Sequence, residues 1–263
     1  MLPEPLFLTV HMYGIMVAVG VLAAFAVLYF YGKKENFSQK FSDFLFYDGM
    51  ASIAVGLGSA ALFQAVYDYI EDPSQGFRFS GSITFIGGLI GGAGFFLLVY
   101  FIARKKIDGR LSDALPVIPC AITLAHGFGR VGCFFAGCCY GKETDSFLGV
   151  KFPMLPNPVH PTQLYEAAFL FALCGVMAYL LIKKRFVYNL SVYLVAYGVF
   201  RFAIEYLRDD HRGSLVAGIS PSQFWSVCMI VVGILLVFIF RRMSIGDFAP
   251  VEVEDGENDA DIE

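Results

Sequence analysis

The chain alternates long apolar runs with short polar connections. Seven apolar segments, each bounded by charged or turn-forming residues, span roughly 11–31, 44–68, 82–103, 112–129, 163–182, 188–206 and 221–240. A helix that crosses a bilayer needs about 20 predominantly apolar residues. The fourth run is the weakest because Pro116 and Pro119 interrupt it, although membrane helices tolerate proline where neighbours satisfy the freed carbonyl. The pattern predicts an all-α membrane protein of about seven transmembrane helices, folded as one domain over residues 1–242.

Composition supports this fold class. Hydrophobic residues make up 57% of the 263 residues and charged residues only 16%, and the mean hydropathy is +0.64. Soluble domains carry roughly 25% charged residues. Residues 243–263 form an acidic end, which we predict to be a disordered cytoplasmic tail. Because no basic patch is interleaved with aromatic residues, nucleic-acid binding has no support.

The basic residues favour one orientation in the membrane. Alternate connections hold twelve Lys and Arg residues against five in the others. The richer set is Lys33, Lys34, Lys40, Arg104, Lys105, Lys106, Arg110, Lys183, Lys184, Arg185, Arg241 and Arg242. Cytoplasmic connections carry the excess, so we predict an outer N-terminus and a cytoplasmic C-terminus. The first ten residues contain no Lys or Arg, unlike a signal peptide. Residues 130–162 and 207–220 then lie on the outer face, with a small outer segment between helices.

Two arginines at segment ends, Arg130 and Arg201, are the most informative charges. A charge at the bilayer centre costs about 2.5–3.5 kcal/mol on insertion scales, so such residues need a partner. The guanidinium fork matches phosphate oxygens. The alternative is an internal ion pair, for example between Arg201 and Glu205 at i,i+4. We expect both arginines to share one cavity near the outer leaflet and to bind a phosphate-bearing lipid headgroup.

Glycine runs indicate close helix packing. The run GGLIGGAG places Gly87 and Gly88 near the start of the third segment. Small residues at this spacing let membrane helices approach closely, which is the favoured interpretation. The alternative is that glycine opens space for acyl chains or lets backbone N–H groups approach a phosphate.

The motif HPTQLYE lies at the mouth of the fifth segment. Pro161 suits the first helical turn, which puts His160 at the mouth and Glu166 about one turn deeper. A carboxylate there is costly unless it is paired. We therefore expect Glu166 to meet an Arg or Tyr of another helix, either as a structural pair or in catalysis.

The six cysteines fall into two groups. Those within apolar segments are read as small hydrophobes: Cys120, Cys174 and Cys228. The others form the pattern C-x4-C-C: Cys133, Cys138 and Cys139. On an oxidising face they could form a disulfide, a redox relay or a catalytic thiolate. Their spacing resembles no common zinc pattern, so we expect no metal and no cofactor.

Together these motifs resemble the prolipoprotein diacylglyceryl transferases of the bacterial inner membrane. The segment GRVGCFFAGCCYG is similar to the family signature G-R-x-G-N-F-x-N-x-E-x-x-G, with Arg130, Gly132, Phe134 and Gly141 in place. HPTQLYE resembles a second family block and YGVFRFAIEYLR a third. The resemblance runs from HMYG, which contains Tyr13, to GISPSQFWSV.

The resemblance implies a multi-pass inner-membrane transferase of lipoprotein biosynthesis. Such enzymes move the diacylglyceryl group of phosphatidylglycerol to the lipobox cysteine thiol of a prolipoprotein signal peptide. It implies a substrate site formed with membrane lipid by Arg130, Arg201, Tyr197, Gly87, Gly88, Gly141, His160 and Glu166. The expected catalytic residues are Arg130, Arg201, His126, Tyr13 and Glu205. In this scheme the arginines clamp phosphate, the tyrosines orient headgroup oxygens, and the glutamates position arginines or transfer protons.

The sequence departs from the family pattern at residues that matter for chemistry. The family's essential histidine is Ile86 here, and the Asn, Asn and Glu of its signature are Cys133, Ala136 and Cys138. An arginine usual in the second segment is also missing. His126, a thiolate of the cysteine group or His160 are the candidates for the base. These changes leave open a related transferase with another acceptor, or a thiol redox or lipid-binding protein.

Overall fold

The computed structural model describes residues 11–79, 84–208 and 220–242. Eight α-helices form this part of the chain: α1 Met12–Lys34, α2 Gln39–Glu71, α3 Phe85–Ala103, α4 Leu111–Ala114, α5 Ile118–Ala136, α6 Thr162–Lys184, α7 Asn189–Ile204 and α8 Pro221–Arg242. Short 3-10 helices at Pro73–Gln75 and Glu205–Leu207 follow α2 and α7. The prediction of an all-α protein is confirmed for the described residues, where pairing between extended residues is limited to isolated bridges.

Among the described residues, six helices are long and apolar enough to cross a membrane: α1, α2, α5, α6, α7 with its 3-10 extension, and α8. The third predicted segment corresponds to α3, whose stretch Gly87–Ala103 is shorter. A multi-pass membrane protein is therefore confirmed, whereas the seventh crossing and the orientation stay predictions. The predicted tail, most of the 207–220 stretch and the N-terminal ten residues lie outside the described residues.

The prediction for the fourth segment was wrong in its bounds. The chain first forms the short helix α4, and α5 begins at Ile118 and continues to Ala136. Pro119 falls in the first turn of α5, where its missing N–H leaves no helical hydrogen bond unmade. Arg130 therefore lies more than one turn inside the helix rather than at its end.

The helices pack mainly as pairs. α1 lies along α5, α2 along α3 and α7 along α8, and α5 also packs against α6. Gly20 shows how close α1 and α5 come, since a Cβ there would lie 2.9 Å from the Ala125 carbonyl oxygen. Large apolar side chains stay exposed along the helices, among them Leu22, Phe30, Ile70, Ile102 and Phe238. Lipid tails are the environment in which such surfaces are stable.

The connection between α5 and α6, residues 137–161, folds back over the helix ends. Gly137, with φ of 72°, ends α5 in the left-handed conformation that favours glycine. Lys142 N–H then donates to the Leu207 carbonyl at 2.8 Å, and Gly141 N–H donates to the His160 carbonyl at 2.8 Å. These bonds tie the connection to the ends of α6 and α7. Pro161 precedes α6 rather than lying in its first turn as predicted.

Candidate active site

Glu166 on α6 is the centre of a buried polar cluster. Its side chain has 0% exposure, and its Oε1 lies 3.0 Å from Arg130 Nε of α5. Tyr197 of α7 donates its hydroxyl to the same oxygen at 2.7 Å. The expectation that Glu166 meets an Arg or Tyr of another helix is confirmed, and both types meet it. The cluster joins three helices through one carboxylate oxygen.

His126 lies one turn before Arg130 on the same face of α5. Arg130 Nε–H donates to His126 Nε2 at a long 3.4 Å, and His126 Nε2 lies 3.7 Å from Glu166 Oε1. The His126 ring meets the Tyr197 ring edge-on, with centroids 5.0 Å apart. The arginine contact requires an unprotonated Nε2, and an imidazole in that state can accept a proton.

Arg201 belongs to a second cluster at the end of α7. Its Nη1 donates to Glu205 Oε2 at 2.6 Å, and its Nη2 donates to Ser222 Oγ of α8 at 2.9 Å. The second Glu205 oxygen accepts a hydrogen bond from Ser220 Oγ at 2.8 Å. Arg208 Nε lies 4.0 Å from Glu205 Oε2. The i,i+4 pair of Arg201 and Glu205, one of two interpretations of the sequence, is thus present.

The two arginines are held differently. Within the described part of the chain, the terminal Nη groups of Arg130 make no hydrogen bond, because its contacts run through Nε. Both Nη groups of Arg201 are already engaged. Each arginine has its own carboxylate, yet the positive charges of both arginines act on His126. A single lipid-filled cavity shared by both stays a prediction.

Two buried acceptors of α6 have no partner among the described residues. Glu166 Oε2 and Gln163 Oε1 are both fully buried without a hydrogen bond. Gln163 uses its amide N–H on the Cys138 carbonyl, which leaves its oxygen for another donor. Buried acceptors of this kind are costly unless water or a ligand satisfies them. They lie one helical turn apart on the face that carries the Arg130 contact.

The three outer cysteines lie together beside this cluster. Their Sγ atoms are within 4.8 Å of one another, and all three thiols are free. Hydrogen bonds with the Cys133 and Cys138 thiols, helped by the nearby Arg208 guanidinium, lower the pKa of Cys139. Tyr13 of α1 packs on Gly132, within electrostatic range of all three and of Arg130. Of the interpretations of C-x4-C-C, the disulfide is not formed in this structure.

The remaining predicted residues have clear structural contacts. A Cβ on Gly141 would collide with the Leu207 carbonyl oxygen and lie 2.8 Å from Thr162 Cγ2, so only glycine fits there. His160 Nδ1 lies 3.2 Å from the Tyr165 hydroxyl. Their roles in substrate binding stay predictions.

Gly87 and Gly88 lie where α3 packs on α2. A Cβ on Gly87 would lie 2.5 Å from Phe63 Cβ, and one on Gly88 would lie 3.3 Å from Ala60 Cβ. This is the close packing that the glycine run favoured. The side chain of Ile86, at the family's histidine position, is outside the described residues.

Sequence reasoning gave no role to several residues of these clusters. Ser222 lies in GISPSQFWSV and Gln163 in HPTQLYE, and the sequence patterns assigned a role to neither residue. Gln163 was detectable, because it is three residues before Glu166 and so shares its helix face. Ser222 had no such signal, since its partner Arg201 belongs to another helix.

The comparisons with known proteins agree with one family. The family model described as prolipoprotein diacylglyceryl transferase matches residues 4–239. The phosphatidylglycerol–prolipoprotein diacylglyceryl transferase of Clostridium tetani is 35% identical over 243 residues, covering 89% of this chain and 94% of that protein. The corresponding transferase 2 of Clostridium perfringens is 34% identical, covering 87% and 90%. That of Teredinibacter turnerae is 31% identical, covering 92% and 87%. The chain belongs to the prolipoprotein diacylglyceryl transferase family.

Proposed function

We propose that this chain transfers the diacylglyceryl group of phosphatidylglycerol to the thiol of a prolipoprotein lipobox cysteine. The observation that carries the proposal is the Arg130–Glu166–Tyr197 cluster, in which a buried carboxylate holds an arginine whose Nη groups stay available. The relatives named above carry this donor and acceptor in their names. A phosphate-bearing lipid is the ligand that suits an open guanidinium fork in a membrane.

In the proposed reaction the acceptor sulfur attacks the glycerol carbon that carries the phosphate ester. A C–S bond forms while the C–O bond breaks, and glycerol phosphate leaves with the bonding electron pair. The Nη groups of Arg130 bind the phosphate oxygens and stabilise the charge that develops on them. A preorganised donor of this kind contributes about 10²–10³ in rate.

Arg201 has a supporting part in this proposal. Its bonds to Glu205 and Ser222 fix its position, and its charge, like that of Arg130, acts on His126. Each Nη group of Arg201 has a second N–H, so Arg201 can contact phosphate while it keeps its bonds to Glu205 and Ser222. Tyr13 of α1 packs on Gly132, and its proposed role is to orient headgroup oxygens.

His126 is the proposed base. A thiol is a weak nucleophile until it is deprotonated, and His126 Nε2 is an acceptor beside the proposed phosphate site. In the proposed reaction the Arg130 Nη groups bind the phosphate, and His126 Nε2 takes the thiol proton. His126→Ala that supports unchanged lipidation in a depletion strain would overturn the assignment, and loss of lipidation in His160→Ala but not in His126→Ala would favour His160 as the base.

The proposed topology places the site on the outer side of a bacterial inner membrane. Seven crossings follow from the seven apolar segments. The basic residues of the alternate connections put the N-terminus and residues 137–161 on the outer face. α3 has 19 residues, which at 1.5 Å each gives about 28 Å, close to the hydrocarbon thickness of about 30 Å. A fluorescent protein fused after Arg242 should fluoresce, whereas periplasmic alkaline phosphatase fused there should stay inactive.

The decisive experiment supplies both substrates. Purified protein in liposomes with labelled phosphatidylglycerol should transfer label to a lipobox peptide, and not to the same peptide with Ser in place of Cys. Arg130→Ala should lose the transfer and, because it leaves the buried Glu166 carboxylate without its counter-charge, should also lower the melting temperature, so the assay is made at a temperature where the variant is still folded. Folded protein that transfers nothing would contradict the proposal, and phospholipid turnover without peptide labelling would favour another acceptor.

A further inference from the structure

The cysteine cluster has a geometry that the transferase reaction does not require. Cys133, Cys138 and Cys139 are the group in the described chain whose side chains could hold a metal ion. Their free thiols lie within 4.8 Å of one another. Cys138 is exposed and the other two are half-buried, so an ion has a path to the sulfur atoms.

The backbone brings these sulfurs together through two left-handed residues. Cys133 lies in the last turn of α5, and Gly137, with φ of 72°, reverses the chain. Cys139 also has a positive φ, 63°, a conformation that only a few per cent of non-glycine residues adopt. The two turns return Cys138 and Cys139 towards Cys133.

The start of α6 holds this turn in place. Thr162 Oγ1 donates to the Cys139 carbonyl at 2.8 Å, and Gln163 Nε2 donates to the Cys138 carbonyl. Both of these α6 side chains are fully buried. Ligands fixed by such supporting bonds bind a metal with little reorganisation.

We propose that Cys133, Cys138 and Cys139 bind a thiophilic metal ion of the Cu(I) class through three thiolate sulfurs. Thiolates are the ligands that select Cu(I). A trigonal site with metal–sulfur bonds of about 2.3 Å separates its sulfurs by about 4 Å, so small side-chain rotations complete the site. A closed zinc site needs four ligands, and the cluster offers three among the described residues.

The charges around the cluster suit such a complex. Three thiolates and one monovalent ion carry two negative charges in total. The Arg130 guanidinium acts on Cys133, and Arg208 both acts on Cys139 and hydrogen-bonds to it. The two guanidinium groups, each of which also lies near a glutamate, offset part of this negative charge, and the three thiol protons are released to solvent as the ion binds.

The test uses the whole protein, purified in detergent under anaerobic, reducing conditions. Cu(I) is titrated in competition with a chromophoric Cu(I) chelator, and the protein is then alkylated and analysed by mass spectrometry. One equivalent should bind, and Cys133, Cys138 and Cys139 should be protected from alkylation while Cys174 and Cys228 are not.

Single substitutions test which cysteines bind the ion. Cys139→Ser and Cys133→Ser should each weaken Cu(I) binding at least tenfold, whereas the control Cys228→Ser should bind like the parent. Alkylation protection in the parent protein keeps the proposal testable if a variant does not fold. Equal protection of all six cysteines, no binding, or a native disulfide between two cluster cysteines in protein alkylated directly in membranes would overturn it. None of these outcomes depends on transferase activity.

Discussion

Tyr197 donates its hydroxyl to the one oxygen of Glu166 that also faces Arg130, while the other oxygen of Glu166 is buried and has no partner among the residues that the structure describes. A carboxylate with 0% exposure is stable here because the guanidinium and the phenol together offset its desolvation. This arrangement couples α5, α6 and α7 at one point. Changes at any of the three residues should therefore affect the others.

Among replacements of acidic residues, Glu166→Gln should cause the largest loss of stability and of activity. It leaves the partly buried Arg130 without its counter-charge, and removing one partner of a buried pair costs about 3–5 kcal/mol. We expect a lower melting temperature and at least a hundredfold loss of kcat/KM for phosphatidylglycerol. The control is Glu143→Gln, an exposed carboxylate that bonds Asn157; equal losses in both variants would contradict the central role of Glu166.

Tyr197→Phe should cause a smaller, specific loss. It removes the hydroxyl that donates to Glu166 but keeps the ring contact with His126. A hydrogen bond to a charged group contributes about 1.5–3 kcal/mol, so kcat/KM should fall about tenfold or more. Tyr193→Phe is the matched control, because Tyr193 stacks on Tyr197 with centroids 5.7 Å apart. Full activity of Tyr197→Phe would show that the hydroxyl bond is dispensable.

Arg130→Lys should show whether Arg130 acts through its positive charge alone or also through the planar shape of its guanidinium group. A lysine can still pair with Glu166, but it has no planar fork to offer to phosphate. We expect KM for phosphatidylglycerol to rise about tenfold or more with little change in melting temperature. Arg185→Lys alters another ion pair, with Glu35 at 2.7 Å, and should leave KM unchanged. An unchanged KM in Arg130→Lys would contradict the proposal that Arg130 binds phosphate through its Nη groups.

Gly87→Ala tests whether the glycine run serves packing. The added methyl would lie 2.5 Å from Phe63 Cβ, whereas one added at Gly94 of the same helix meets nothing within 4 Å. Overpacking typically costs about 1–3 kcal/mol, so Gly87→Ala should lower the melting temperature and Gly94→Ala should not. Loss of phosphatidylglycerol binding at an unchanged melting temperature would instead indicate a substrate contact.

Much of the candidate site could be predicted from the sequence, because single charged residues in an apolar medium need partners. Arg130, Arg201 and Glu166 are charges in apolar segments, which restricts them to pairs, ligands or the membrane surface. The i,i+4 spacing of Arg201 and Glu205 was enough to anticipate their contact, because Glu205 directly follows the last residue of the helix that carries Arg201. For Arg130 and Glu166, on different helices, the sequence indicated the need for a partner and not its identity.

The sequence by itself determined the helices, since apolar runs in a bilayer must satisfy their backbone hydrogen bonds within each segment. It also determined that buried charges would be paired. The tertiary structure decided the pairing of Glu166 with Arg130 and Tyr197, the late start of α5 after Pro116, and the convergence of the three cysteine sulfurs. These features depend on how separate helices pack and on left-handed turns at Gly137 and Cys139. The pattern of apolar and polar residues along the chain does not predict either of them.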